Sequence, residues 1–338
     1  MNRPSIEDLS ALYQAAIIFQ EVAPWECMNN EDLFAVVNPD DGEVGYCAIL
    51  GSGGEEFGLG MFVGEDGYNR YASLIAGEVD PEDMEESIMM RSISLLFVDR
   101  EDLEKEDREV IRSLGLRFRG RNTWPLFRSQ QPGYVPWFLE KGEVLFLTAA
   151  IQQALVVAGE VKDREWDLFE RKSKNLVLTR YYRSDRWQEK WQKVPTRRKV
   201  RETNSESIDA VKRAELHLLR KQADKPGGCW ELDIFALPIP IGEAKERPHF
   251  PICFLAVEAK LGLILGVNLT EPWLNLSQKR DEVIQILTKA NQLPGEIRVK
   301  THKIRGIVEP ITSVLGIKLR VTSLPVLEQA KADLYEHL

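Results

Sequence analysis

Ile252-Cys253-Phe254-Leu255-Ala256-Val257-Glu258-Ala259-Lys260-Leu261-Gly262-Leu263-Ile264-Leu265-Gly266-Val267-Asn268-Leu269 decides the fold of the last third of this chain. Residues 252–257 and 263–269 are apolar runs too short for buried helices, and they flank the turn signal Lys260-Leu261-Gly262, so the stretch reads as a β-hairpin. Upstream, 230–237 reads as another strand, linked to the hairpin through Pro238, Pro240, Pro248 and Pro251. Downstream, Ser277 starts a helix to about residue 291, with Val283, Ile284 and Leu287 inward. Pro294-Gly295 leads into a strand over 296–300, then come a helix over 304–315, a strand over 317–321 and a final helix from Leu324. Residues 227–338 therefore form an α/β domain of order β-β-β-α-β-α-β-α.

The first 185 residues read differently. Ser5 followed by Asp8 is a helix-start signal, and Ile6, Leu9, Leu12, Ala16 and Ile17 recur at helical spacing to about Val22. Strands over 33–37, 44–50 and 57–63 are separated by Asn38-Pro39-Asp40-Asp41-Gly42 and Gly51-Ser52-Gly53-Gly54. A helix over 68–76 stops at Gly77, and 93–98 is a strand. Asp99 is expected to cap a charged helix whose apolar stripe is Leu103, Val110, Ile111 and Leu114. Residues 144–158 form a buried helix and 176–182 a strand. This is an α+β domain around an antiparallel sheet.

Between the two domains, 186–226 reads as a basic helical connection. Trp187 and Trp191, four apart, share one face of a helix. Ile208, Val211, Ala214, Leu218 and Leu219 form the apolar side of a helix that stops before Pro226.

The 338 residues carry a net charge of −9 that hides a segregation of sign. Residues 1–110 have 26 acidic and 6 basic side chains, residues 111–230 have 14 and 25, and the remainder has 13 of each. The acidic third repels nucleic acid and anionic membrane, while the basic middle third attracts them. No apolar run approaches the ~20 residues of a membrane span. The N-terminus lacks the pattern of a secretory signal. Four widely spaced cysteines fit neither a disulfide framework nor a zinc site. A cytoplasmic protein is expected, with no membrane partner.

The order of elements in the last third, with Trp230-x-x-Asp233 on its first strand, the hairpin of the second and third strands, Leu293-Pro294-Gly295-Glu296 before the fourth and Leu315-Gly316-Ile317 before the fifth, resembles the ribonuclease H-like fold of integrases and transposases. That resemblance implies acidic residues at the ends of strands one and four, holding two metal ions about 4 Å apart for phosphoryl transfer. Asp233 fills the first place. Lys300-Thr301-His302-Lys303 stands at the second and repels a cation. The resemblance therefore implies a version used for binding, with Asp233 the one weak catalytic candidate and no metal. Trp124-Pro125-Leu126-Phe127-Arg128 and Pro132-Gly133-Tyr134-Val135-Pro136-Trp137 further resemble a two-domain group of bacterial proteins without assigned function.

The first candidate binding surface is Arg119, Arg121, Trp124, Arg128, Tyr134 and Trp137. Arginines beside aromatic faces hold single-stranded nucleic acid and also mark protein hot spots. The bland reading is an extended connection that packs its rings on the sheet. The second candidate is Arg186, Trp187, Trp191, Arg197 and Arg198, with a solvated strand or linker as its bland reading. The glycine-rich turns lack a P-loop lysine and sit beside Glu55, Glu56, Glu65 and Asp66, which repel phosphate. No histidine has zinc-type spacing, and no nucleophile motif stands out. No cofactor is expected. The expected function is non-catalytic binding to another protein; the alternative is a nucleic-acid-binding protein or a metal-dependent nuclease.

Overall fold

The computed structural model describes residues 3–78, 87–164, 175–195, 208–222, 227–242, 246–290 and 292–337. These form a mixed α/β chain with two sheets and eight helices. The chain divides into two units, one of residues 1–132 and 136–197, the other of residues 133–135 and 198–338.

In the first unit, β1 (Phe34–Val37), β2 (Val44–Leu50), β3 (Phe57–Val63), β4 (Ser92–Val98), β5 (Trp124–Gln130), β6 (Leu176–Arg183) and β7 (Arg186–Lys193) form one sheet ordered β5-β4-β3-β2-β1-β6-β7. The expected antiparallel pairing holds at every interface but one. β1 and β6 run parallel, as strands joined by a long crossover can. Side chains alternate between two cores. Phe34, Val36, Cys47, Ile49 and Leu178 face helices α1 (Ile6–Val22) and α4 (Lys141–Arg164). Ala35, Tyr46 and Val177 face α2 (Gly64–Ile75) through Tyr68.

Helix α1 starts where the sequence placed it: the Asp8 N–H donates to Ser5 Oγ at 3.1 Å and the Ser5 N–H donates to Asp8 Oδ2 at 2.9 Å. Helix α4 is long and apolar enough, by length and composition, to cross a membrane, and 56% of its most apolar window is buried inside the protein. Its buried side includes Val144, Leu147, Ala150, Ile151 and Ala154, and it lies against α1.

Three readings of this unit need correction. The charged helix α3 (Lys105–Ser113) is capped by Glu104, because Glu104 and Asp107 close their own capping box; Asp99 caps only a short 3-10 turn over Arg100–Asp102. The Arg/aromatic stretch contains a strand, β5, at the sheet edge, where Pro125 is tolerated because one side of the strand needs no ladder bonds. Residues 186–193 are not helical. Ser184 and Asp185 both adopt left-handed φ, 52° and 59°, and so close a two-residue hairpin between β6 and β7. Arg197 and Arg198 lie outside the described residues.

The second unit contains α5 (Ala210–Gln222), β8 (Cys229–Ala236), β9 (Ile252–Glu258), β10 (Ile264–Thr270), α6 (Leu276–Lys289), β11 (Glu296–Val299), α7 (His302–Leu315), β12 (Lys318–Val321) and α8 (Pro325–Glu336). Its sheet is ordered β10-β9-β8-β11-β12, with β9 antiparallel to both neighbours and β8, β11 and β12 parallel. The hairpin and the alternation of strands and helices follow the sequence reading. Asn275 rather than Ser277 caps α6, since its side chain accepts the Gln278 N–H. On α5 the buried residue is Leu216, while Val211 and Leu218 are exposed; the inward stripe runs Ile208, Lys212, Leu216, Leu219.

Candidate functional site

Strand β8 is buried along its length, and its residues alternate between the two faces of the sheet. Leu232 pairs with Ala256 and through it with Gly266, which packs on Ile286 of α6. Glu231, Asp233 and Phe235 point the other way, toward α8. Two carboxylates in a buried strand need partners, and α8 supplies both. The Leu327 N–H donates to Glu231 Oε2 at 2.8 Å, so Glu231 takes the part of a cap that Leu324 has no side chain to play. Lys331 donates to Asp233 Oδ2, and the Ile234 N–H donates to Oδ1 at 3.0 Å. The Lys331 ammonium also lies 3.9 Å from the centroid of the Phe235 ring. Burial pushes the Asp233 carboxyl up, against the opposing pull of Lys331, its hydrogen bonds and Lys300.

These residues do not fit a divalent cation. Asp233 is neutralised by an ammonium, Glu231 gives Oε2 to a helix terminus and leaves only Oε1 buried without a hydrogen bond, and Lys300 bears on the Asp233 position. Among the described residues, no three His, Cys, Asp or Glu side chains come together to hold a metal. The sequence missed both Glu231 and Lys331; a buried alternating strand with acids at positions 231 and 233 was the available signal.

The first candidate surface separates into parts. Arg128 is built into β5, its side chain 12% exposed and bonded to both Asp107 oxygens at 2.9 and 2.7 Å and to Glu104 at 3.2 Å. It lies 4.8 Å from the Phe138 ring centroid. Those carboxylates hold the Arg128 guanidinium above its ordinary value, against desolvation, which is the largest influence and lowers it. Trp124 packs on Phe118 and lies beneath Arg100. Trp137 exchanges backbone hydrogen bonds with Ser129. Arg117, Arg119 and Arg121 are exposed.

Tyr134 belongs to the second unit. It stacks on Trp273 with centroids 5.1 Å apart, the edge of His249 6.2 Å away and Arg247 5.6 Å above it. Gly133 is required here, because a Cβ would come within 2.2 Å of Pro272.

Of the second candidate surface, Arg186, Trp187 and Trp191 are part of a sheet. Trp187 and Trp191 share one face because positions four apart do so in a strand as in a helix, and both cover the first core. Between them Glu189 binds Arg180 at 2.7 Å, and the same arginine donates to Gln153 of α4 at 3.1 Å. Arg186 remains exposed at the hairpin end. One further concavity, a cleft of about 540 Å³ lined by Asn29, Asn30, Glu31, Asp32, Ser52 and Ile75, is polar and acidic. Its loop is satisfied internally: Asp32 accepts the Asn29 N–H at 2.8 Å and Ser52 donates to Asn30.

Two family models match the chain, each described as a domain of unknown function: DUF7309 over residues 10–180 and DUF6930 over residues 215–335. No curated protein matches it.

Proposed function

This chain belongs to the DUF7309 family, and from that premise we propose that it is a cytoplasmic, non-catalytic protein that acts by binding another protein. We further infer that its second unit is a ribonuclease H-like domain diverted from catalysis. Support for the fold comes from the strand order β10-β9-β8-β11-β12 with β9 reversed, and from helices following β10, β11 and β12. One observation carries the non-catalytic reading: Lys331 occupies the Asp233 carboxylate. A nuclease of this fold would need that carboxylate for metal.

Arg117, Arg119 and Arg121 are the proposed contact surface, since they are exposed while Arg128 is consumed by Asp107 and Glu104. A protein partner suits the acidic first third better than a polyanion does. Those three exposed arginines are also what favours the second reading, a nucleic-acid-binding surface.

The test uses the full chain with labelled single-stranded and duplex oligonucleotides at about 50 and 200 mM salt, with and without Mg²⁺. The proposal expects no cleavage and no salt-dependent binding. Cleavage abolished by Asp233→Asn would overturn the non-catalytic reading. Affinity that falls steeply with salt, and is lost in Arg119→Ala/Arg121→Ala, would replace the protein partner with nucleic acid.

A further inference from the structure

Each sheet exposes two edges, and three of the four carry the usual safeguards against pairing with another strand. β7 bears Arg186, Lys190 and Lys193; β12 bears Lys318 and Arg320; β5 bears Pro125 and Arg128 and is bridged at Ser129 by Trp137. β10 has no such charge. From Leu261 to Thr270 there is neither a charged residue nor a proline.

The strand is also apolar on a face that none of the described residues covers. Its register with β9 shifts between Ile264 and Gly266, so Ile264 lies opposite Val257 while Val267 and Leu269 lie opposite Leu255 and Cys253. The irregularity therefore brings Ile264 onto the same face as Val267 and Leu269. On β9 that face is roofed by Leu324, the N-cap of α8, and by Leu327 within it. On β10 the roof has ended, and Ile264, Val267 and Leu269 are 62%, 51% and 57% exposed. Beyond the irregularity, Gly266 to Thr270 keep a regular register, a straight run able to accept a further strand.

We propose that β10 pairs with β10 of a second copy of this chain, antiparallel about a two-fold axis, joining the two five-stranded sheets into one. The charge pattern selects the occupant. A strand meeting its own copy places like beside like, so self-pairing at β7 or β12 would oppose lysines and arginines, whereas β10 opposes only apolar and neutral side chains. With the axis at Asn268, Val267 of one copy faces Leu269 of the other, and each apolar strip extends the core beneath the neighbouring α8. The inference is independent of the function proposed above.

Light scattering on the full chain across micromolar to hundred-micromolar concentrations tests it. The expected result is a mass that rises with concentration to twice that of one chain. Val267→Lys and Leu269→Lys should each return it to a single chain with an unchanged circular dichroism spectrum, because both sites are more than half exposed; Ile264→Lys is the substitute should either fail to fold. Leu218→Lys, at an exposed position of α5, should leave the dimer intact. A monomer at every concentration, a dimer that survives Val267→Lys/Leu269→Lys, or a dimer broken by Leu218→Lys instead would each overturn the proposal, including the case in which β10 accepts a strand from a different protein.

Discussion

Replacing Lys331 by Met keeps most of the aliphatic stem while removing the ammonium that faces Asp233 and the Phe235 ring. The two side chains are 10% and 4% exposed, so water does not substitute for the lost ammonium. Removing one partner of a buried pair costs about 3–5 kcal/mol at neutral pH, since the remaining charge is left without compensation. With a urea slope of roughly 1–3 kcal/mol per molar, the midpoint of the second unit should fall by about 1–5 M. The deficit should depend on pH with a definite sign. Burial raises the Asp233 carboxyl above its ordinary 3.8, and without Lys331 less opposes that rise. A group raised on folding contributes stability that is complete below its unfolded value and is lost as pH climbs through its folded value. The variant should therefore be weakest at neutral pH and recover toward the native protein on acidification, leaving about 1 kcal/mol for the lost cation–ring contact and stem packing. Urea unfolding of both proteins at neutral pH and near pH 4, followed by hydrogen exchange in β8 and α8, measures this. A deficit equal at both pH values would refute the reasoning, as would a double variant Asp233→Leu/Lys331→Met no more stable than Lys331→Met alone.

Arg128→Met should lower the stability of the first unit by about 3 kcal/mol by stranding buried Asp107, whereas Arg119→Ala/Arg121→Ala should stay within about 0.5 kcal/mol; calorimetry on the three proteins separates a structural arginine from surface ones. Glu296 is held below its ordinary 4.5 chiefly by the Arg298 hydrogen bond, then by Arg320 and Lys318. A lowered carboxyl contributes stability above its unfolded value that is lost as pH falls. Glu296→Gln should consequently weaken the second unit at neutral pH and converge with the native protein in acid, read from thermal unfolding across that range.

What was legible in the sequence was local. The hairpin of β9 and β10 announced itself by two apolar runs around a glycine turn, and α1 by Ser5 and Asp8, because the forces concerned act over a few residues. The readings that failed had local signals serving two structures. Trp187 and Trp191, four apart, share a face in a helix and in a strand, and only the left-handed pair Ser184 and Asp185 decides between them. β5 was hidden because Pro125 and alternating Arg and aromatic residues suit an irregular connection as well as an edge strand. On α5, Val211 and Leu218 look as inward as Leu216 until the packing is known. Arg128 looked like a ligand contact because Asp107, which holds it, is 21 residues earlier. The pairing of Asp233 with Lys331 spans 98 residues and has no sequence signature.

The two carboxylates of β8 explain a choice that apolar packing leaves open. Leu324 and Leu327 would satisfy the core on β9 in more than one register of α8, since one turn of slippage exchanges one apolar contact for another. Glu231 and Asp233 are two residues apart on a strand, a span of about 6.6 Å. Their partners, Leu327 and Lys331, are four apart on a helix, a span of about 6 Å along its axis. The spacings match only when α8 runs in the same direction as β8 with its first turn over Glu231. A one-turn shift would leave Asp233 buried without Lys331 and Glu231 without an N–H, each a penalty of several kcal/mol. The two acids on this face thus fix the last helix. The apolar strip of β10, which α8 could cover only by giving up both contacts, stays open to another strand.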